Sequence, residues 1–219
     1  MNVKGLFITF EGPDGSGKST QIKYLKQYIE SQNLSYLSTR EPGGTTISDA
    51  IRTVLLNPDH TSLTNETEIL LYAASRAQHV EECIKPALDA GKIVICDRFV
   101  DASVAYQGYG LGVPVTRIKE INAFAAKGLI PDRTYLIDIS PEEGRTRMEA
   151  RDDREYEMSL DRIEQRKLEY HKRVREGFHH IYREDSNRIC WVNGHQPSDM
   201  IFEEIRTDFQ NYIQSYKKI

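Results

Sequence analysis

The sequence has no excess of basic residues and no long apolar run. Its 219 residues include 29 Lys and Arg against 33 Asp and Glu, a formal net charge of −4 at pH 7. A general nucleic-acid binder needs a basic excess, so we do not expect nucleic acid as a partner. An anionic ligand would have to bind through a local cluster of basic side chains, because the overall field does not attract it.

The cysteines and the first residues exclude further classes. Cys83, Cys96 and Cys190 are odd in number, widely separated and without metal-ligand spacing, which favours reduced thiols in a cytoplasmic protein. Only six apolar residues precede Glu11, too few for a signal peptide or a membrane-spanning helix. We therefore expect a cytoplasmic protein without a membrane partner.

Short apolar runs alternate with helical patterns along the chain. Hydrophobic residues make up 39% and charged residues 28% of the sequence, which is ordinary for a globular domain. The runs that predict strands are residues 6–10, 36–39, 93–96, 135–139 and 189–192. Strands that alternate with helices favour an α/β fold with a parallel sheet covered on both faces. The length suits one domain, which we place over residues 1–219.

Two helical stretches and one charged segment complete this organisation. Residues 66–88 should form a long helix, and residues 99–127 should be helical with a break at 108–112. In residues 145–162, arginines alternate with acidic residues and few core residues occur. We expect this charged segment to be exposed and mobile.

Residues 12–19 match the phosphate-binding pattern G-x-x-x-x-G-K-[ST], with a predicted strand before it and a helix after it. Backbone N–H groups of such a loop converge on phosphate oxygens, and the helix N-terminus adds a favourable dipole. Lys18 can reach the β- and γ-phosphates, and Ser19 can hold Mg²⁺. The expected nucleotide contacts are Gly12, Pro13, Asp14, Gly15, Ser16, Gly17, Lys18, Ser19 and Thr20. The motif does not define a reaction, because GTPases, motors and kinases share it.

Two arginines follow neighbouring predicted strands. Arg40 comes after the second strand and Arg98 after the third. In an open α/β sheet the ligand crevice lies at the carboxyl ends of the strands, so both should face the phosphate loop. A single arginine at the end of a strand is more often part of a surface ion pair than of a binding site. The pair favours a kinase, which needs positive charge beside the transferred phosphoryl group and its acceptor.

With these motifs the chain resembles the thymidylate kinase family over its whole length. The matching stretches are residues 10–20, 39–44, 73–76, 96–99, 103–108, 128–132 and 160–164. The Arg-Glu-Pro-Gly-Gly segment at 40–44, and Asp-Arg-Phe at 97–99 with Tyr-Gln-Gly at 106–108, are more specific than the phosphate loop. The resemblance implies a P-loop NTPase fold with a five-stranded parallel sheet and a mobile lid at approximately 145–162. It also implies transfer of the ATP γ-phosphoryl group to dTMP, giving dTDP.

The resemblance also implies roles for individual residues. Arg40 and Arg98 would bind the acceptor phosphate, and Asp97 would lie near the magnesium ion together with Ser19. Lys18, Asp97 and Arg98 would form the catalytic group with the lid arginines. The residues implied at the acceptor site are Asp14, Arg40, Arg52, Tyr72, Arg76, Arg98, Ser103, Tyr106 and Gln107.

Within this implied acceptor site, Arg76 and Gln107 would face the thymine, and Tyr72 would take the aromatic position against the base. Arg and Gln can hydrogen-bond a pyrimidine edge, and an aromatic ring can stack on its face. Tyr106 would crowd the 2′ carbon of the sugar, and Asp14 would lie near the sugar. Without the other residues of this pattern, Tyr72 would be interpreted as a core aromatic residue and Gln107 as a surface amide.

A further feature of the family implies a catalytic role for arginines of the lid. Some thymidylate kinases carry a catalytic arginine directly after the acidic residue of the phosphate loop, where this chain has Gly15. Relatives with this loop type carry it in the lid. The resemblance therefore implies that Arg147, Arg151 or Arg154 acts when the lid closes, with Arg151 the first choice.

The segment 69–74 is apolar nearly all round, which one core-facing side does not require. Members of the family dimerise through helices in this region, so the resemblance implies a homodimer. The residues alone are equally compatible with a central buried helix.

Two other functions fit parts of the pattern. A deoxynucleoside kinase also has a phosphate loop and a strand-end arginine, but its acceptor hydroxyl needs a general base and fewer arginines. A non-catalytic guanine-nucleotide switch needs an Asn-Lys-x-Asp segment, which does not occur. A scaffold needs no acceptor pocket. The sequence therefore favours a dTMP kinase that uses ATP and Mg²⁺.

Overall fold

The computed structural model describes residues 5–150 and 160–216. Within them, five strands form one sheet in the order β2-β3-β1-β4-β5. The strands are β1 (Leu6–Glu11), β2 (Tyr36–Arg40), β3 (Ile93–Asp97), β4 (Arg133–Asp138) and β5 (Ile189–Asn193). All neighbouring pairs are parallel. The predicted five-stranded parallel sheet is confirmed.

Helices follow the strands and cover both faces of the sheet. They are α1 (Lys18–Ser31), α2 (Thr46–Leu56), α3 (Asn65–His79), α4 (Lys85–Asp89), α5 (Val100–Ser103), α6 (Val115–Ala125), α7 (Pro141–Glu149), α8 (Leu168–Glu184) and α9 (Ser198–Tyr216). The predicted helix at 66–88 is α3 and α4 joined by a π-helical turn, Val80–Ile84. The break expected at 108–112 falls at the end of a second π-helical turn, Val104–Gly110. No helix of the described residues is long and apolar enough to cross a membrane.

Alternate side chains of β1 enter different parts of the core. Ile8 and Phe10 pack with the apolar residues of α1 and α9, and Phe7 packs with Val80 and Val94 on the other face. Every residue of β1 is buried, including the polar Thr9 and Glu11, as expected for a strand that is covered on both faces. β1 is therefore the centre of the sheet, and the loop that follows it leaves from the middle of the carboxyl edge.

The register of the strands aligns the residues predicted for the site. Phe10 of β1 and Arg40 of β2 are both paired with Asp97 of β3, so the three strands end at one level. The strand order changes direction at β1, since β2 and β3 lie on one side of it and β4 and β5 on the other. Ligand crevices of open α/β sheets lie at such a switch point.

The segment expected to be exposed and mobile, residues 145–162, begins inside α7, and its residues 151–159 lie outside the described ranges. The expectation of exposure is wrong for its last residue. Arg162 is only 10% exposed and donates hydrogen bonds to the carbonyl of Leu55 at 2.9 Å and to Glu68 at 2.7 Å. The buried Glu68 carboxylate needs a compensating charge, and Arg162 supplies part of it.

Candidate active site

The loop between β1 and α1 has the backbone shape of a phosphate cradle. Gly12, Gly15 and Gly17 all have positive φ, at 132°, 74° and 93°. A Cβ atom on Gly12 would lie 2.1 Å from the carbonyl oxygen of Ile137, so the loop depends on glycine there. Gly17 caps α1 without a side-chain hydrogen bond. The first N–H groups of the helix therefore remain available to an anion.

Lys18 lies inside this loop. Its amine donates to the carbonyl oxygens of Gly12 at 3.1 Å and Pro13 at 2.9 Å, and the side chain is buried. Burial and the charge of Arg98 lower the pKa of Lys18 to about 8, against the opposite influence of nearby carboxylates. A bound polyphosphate would favour the charged amine. In this structure, therefore, the Lys18 side chain is packed inside the loop and does not project into solvent.

A cavity of about 220 Å³ lies beside the loop and contains the basic groups predicted for the acceptor phosphate. It is bordered by Lys18 and Ser19 of the loop and by Arg40, Arg52 and Arg98. Several of these arginines have partners in the described structure. Arg40 pairs with Asp49 at 3.0 Å, and Arg52 donates to the carbonyl of Pro42 at 2.8 Å. Four cationic groups border this cavity together with four carboxylates, those of Asp14, Glu41, Asp97 and Glu164. The cationic groups can hold an anionic ligand.

The same cavity has oxygen ligands suited to a magnesium ion. Asp97 and Ser19 both border it. The Oδ1 atom of Asp97 is buried and has no hydrogen-bond partner among the described residues. Such an atom costs free energy unless a ligand compensates it. A carboxylate and a hydroxyl are the hard oxygen donors that Mg²⁺ prefers, so these residues fit the ion.

Tyr106, Asp14 and Arg98 join this cavity to a second one. The Tyr106 hydroxyl donates to Asp14 at 2.9 Å and accepts from Arg98 at 3.0 Å, and Arg98 also pairs with Asp14. Burial alone would raise the pKa of Asp14, but Arg98, Lys18 and the Tyr106 hydroxyl hold it below its usual value. Arg98 has a φ of 70°, rare for a residue other than glycine, and this places its side chain between the two cavities.

The second cavity, of about 170 Å³, is enclosed mainly by α3, α5 and the π-helical turn after α5. The predicted acceptor residues that line it are Asp14, Arg52, Tyr72, Arg76, Arg98, Ser103, Tyr106 and Gln107. The cavity beside the loop is called the phosphate cavity below, and the second one the base cavity. Arg40 is the one predicted acceptor residue that borders only the phosphate cavity. An aromatic ring, a guanidinium and an amide in one enclosed space can hold a flat heterocycle with polar edges.

Arg76 is held rigidly in the wall of this cavity. It is buried and donates to Glu41 at 2.7 Å, to Ser103 at 2.9 Å, to the carbonyl of Phe99 at 3.0 Å and to Asn122. Neither Glu41 nor Asn122 is among the residues predicted for the site. Glu41 lies in the Arg-Glu-Pro-Gly-Gly segment, which was a usable signal, whereas nothing in the sequence singles out Asn122.

Other acidic residues near the cavity were also missed. Glu68 accepts from the Gln107 side chain at 3.1 Å, and Asp161 and Glu164 line the cavity. Glu68 is a charged residue at the start of an apolar helical stretch, which was a signal that could have been used. Asp161 and Glu164 lie in the matching stretch 160–164.

The predicted lid arginines are described only in part. Arg147 is half-buried at the end of α7 and donates to Glu143 and to the carbonyl of Gly194, the latter at 2.9 Å. Arg151 and Arg154 lie outside the described residues. The structure therefore brings the loop, strand-end and base-cavity residues together, and it leaves the lid arginines as predictions.

This fold and this site, a phosphate loop beside two cavities that share Arg52 and Arg98, are those of a P-loop nucleotide kinase. A family model described as thymidylate kinase matches residues 10–205. The curated thymidylate kinase of Carboxydothermus hydrogenoformans is 50% identical over 204 residues, covering 93% of this chain and 96% of the relative. That of Clostridium novyi is 47% identical over 203 residues, covering 93% and 97%. The chain belongs to the thymidylate kinase family.

A solved structure agrees with this assignment. The crystal structure of thymidylate kinase from Ehrlichia chaffeensis superimposes with a TM-score of 0.74 at 33% sequence identity. The match covers 94% of this chain and 99% of that one. The similarity therefore extends over nearly the full length of both chains.

Proposed function

We propose that the protein transfers the γ-phosphoryl group of ATP to the phosphate of dTMP, giving dTDP and ADP. One observation carries the proposal: the phosphate cavity and the base cavity have Asp14, Arg52 and Arg98 in common and therefore adjoin, which suits an acceptor with a phosphate at one end and a base at the other. Family membership supports the same reaction. The free cysteines are consistent with a cytoplasmic location of the enzyme.

On the donor side, the loop N–H groups and Lys18 would hold the ATP phosphates. Lys18 would leave its loop carbonyls and neutralise charge between the phosphates during transfer. Mg²⁺, held by Ser19 and Asp97, would supply further neutralisation of the phosphate charge. Catalysis of phosphoryl transfer is mainly positioning and electrostatic stabilisation, which suits a site built from cations and backbone N–H groups.

On the acceptor side, Arg40 and Arg98 would bind the dTMP phosphate, with Arg52 beside them. Arg76 and Gln107 would bind the edge of the thymine. The remaining contacts would come from Tyr72 against the base and from Asp14, Ser103 and Tyr106 around the sugar.

A deoxynucleoside kinase is the second candidate, and the arginines argue against it. Its acceptor is a hydroxyl, which needs a free general base and no anion site. Asp14, one of the carboxylates that line both cavities, is already paired with Arg98 and Tyr106. Arg40, Arg52 and Arg98 border the same cavity and favour an acceptor that carries a phosphate.

The test is an acceptor screen with ATP and Mg²⁺, which measures kcat/KM for dTMP, dCMP, dGMP, dAMP, ribothymidine monophosphate and thymidine. We expect dTMP to be preferred, because a cavity built to pair with polar groups rejects a base that leaves them unpaired. Ribothymidine monophosphate should be poor because Tyr106 crowds the 2′ position. Comparable values for dCMP and dTMP, or for thymidine and dTMP, would contradict the proposal.

A second test uses the variant Lys18→Met. Because Lys18 is buried, circular dichroism first has to show that the variant is folded. We expect kcat for dTMP to fall by on the order of 10²–10³, the scale for loss of one preorganised electrostatic group. A folded variant with near wild-type turnover would show that Lys18 has no part in the transfer.

A further inference from the structure

Glu68, near the start of α3, is a fully buried carboxylate that the proposed chemistry does not use. Its Oε2 atom accepts from Arg162 at 2.7 Å and from Arg166 at 2.5 Å. Its Oε1 atom accepts from the side-chain nitrogen of Gln107 at 3.1 Å. Both oxygens are thus engaged, and two guanidinium groups compensate the buried charge.

This arrangement determines which way round the Gln107 amide lies. A carboxylate oxygen only accepts hydrogen bonds, so the Gln107 atom that faces Glu68 has to be the nitrogen, Nε2. The oxygen of an amide points away from its nitrogen. Gln107 lines the base cavity, and its carbonyl oxygen is therefore the acceptor that it can offer to a ligand there.

The orientation matters because thymine and cytosine differ at the edge that Gln107 would face. Thymine has an N–H donor at N3 and a carbonyl acceptor at C4, whereas cytosine has an acceptor at N3 and an amino donor at C4. A fixed carbonyl on Gln107 complements the thymine N3–H and opposes the cytosine N3. The opposite orientation of the amide would reverse this preference.

We propose that Glu68 is a positioning residue that fixes the Gln107 amide with its carbonyl toward the base and so sets the preference for thymine over cytosine. The proposal rests on the proposed function, phosphorylation of dTMP. Glu68 acts through Gln107, and it is the two arginines on its other oxygen that keep its carboxylate in place.

The variant Glu68→Gln tests this directly. A glutamine there has nearly the same size but can offer either its oxygen or its nitrogen to Gln107, so it no longer dictates the orientation. We expect the ratio of kcat/KM for dTMP to that for dCMP to fall by roughly tenfold or more, the scale of one mispaired buried polar group. The ratio of dTMP to dUMP should stay within about twofold, because uracil has the same N3–H and C4 carbonyl.

The control variant is Arg166→Gln, which removes one cation from Oε2 and leaves the bond between Oε1 and Gln107. It should destabilise the cluster but keep the dTMP to dCMP ratio. An unchanged ratio in Glu68→Gln, or an equal loss in Arg166→Gln, would overturn the proposal. If the wild type itself showed no preference for dTMP, the proposed function would fail before the variants were compared.

A measurement on the wild-type protein covers the case in which Glu68→Gln does not fold. In ¹H–¹⁵N spectra without nucleotide, the side-chain NH₂ of Gln107, assigned by its loss in Gln107→Leu, should be protected from hydrogen exchange. Exchange as fast as that of exposed glutamines would contradict the proposed orientation of the Gln107 amide. This outcome does not depend on which substrate the enzyme uses.

Discussion

At the scale of single residues, buried charges hold the base cavity in shape. Glu41 accepts from Arg76 and also contacts Nδ1 of His79 at 3.0 Å, and His79 Nε2 lies 2.7 Å from Thr39. Burial by itself would lower the pKa of His79, but its hydrogen bonds with Cys83 and Glu41 raise the pKa to about 9. The imidazolium therefore joins the end of β2 to α3 through the carboxylate that also positions Arg76.

His79 gives the protein a predicted pH dependence of stability. The pKa of His79 is about 9 in the folded state and near 6.5 when unfolded, so the folded state binds the proton more tightly. The stabilisation is fully present below pH 6.5 and is lost as the pH rises through about 9. In urea unfolding, the difference between wild type and His79→Gln should shrink by on the order of 1–3 kcal/mol between pH 6 and pH 9.5. A difference that does not change with pH would contradict this prediction.

At the scale of secondary-structure elements, α7 limits what the phosphate loop can carry. A Cβ atom on Gly15 would lie 2.3 Å from the carbonyl oxygen of Gly144, and a Cβ atom on Gly144 would lie 2.3 Å from that of Asp14. With the two backbones in contact, position 15 has no room for an arginine. The loop supplies Lys18 as its one cation within residues 12–20, so further positive charge has to come from outside it.

We therefore predict that an arginine of the candidate lid, residues 145–162, is catalytic. Arg147→Ala, Arg151→Ala and Arg154→Ala should be compared at saturating ATP and dTMP, and at least one should lose kcat by on the order of 10²-fold or more. Arg151 is the first choice. Arg147 would first have to leave Glu143 and the carbonyl of Gly194.

The matched control for the lid arginines is Arg145→Ala, which removes an exposed guanidinium paired with Glu149 at 3.0 Å. It should change kcat little. The prediction fails when all three single variants and the triple variant stay within about tenfold of wild type, which is about 1.4 kcal/mol of barrier.

At the scale of the whole molecule, two helices that pack against each other carry exposed apolar side chains. In the segment 69–74, Ile69 and Ala73 face the core, and Leu70 is 59% exposed. Helix α3 packs against α6, which presents Phe124 at 87% exposure. The segment is apolar on both sides because one side builds the core, and the exposed side is available to a second molecule.

The expected consequence is a homodimer through α3 and α6. Sedimentation at micromolar concentration should give a species of twice 25.2 kDa. Leu70→Glu should shift it toward the monomer, because a charge in an apolar interface is costly to bury. Met200→Glu on α9, also at an exposed apolar position, is the control and should leave the dimer intact. A wild-type protein that sediments only at 25.2 kDa has no such dimer.

The sequence by itself determined the phosphate loop, the strands and their parallel arrangement. The loop conformation depends on glycines at fixed offsets between one strand and one helix, which is local information. Apolar runs of strand length that alternate with helices can be buried only in a sheet covered on both faces. Because parallel strands end at the same edge, the meeting of Lys18, Arg40 and Arg98 followed from the sequence as well.

Only the tertiary structure decided which charges meet. Glu68 is 94 positions before Arg162 and 98 before Arg166, and Glu41 is 35 before Arg76. No periodicity connects such residues, since a buried charge is compensated by whichever opposite charge the fold brings beside it. For the same reason Arg162, expected to be exposed, is in fact enclosed. Local patterns set the elements, whereas the partners of the buried charges depend on how those elements pack.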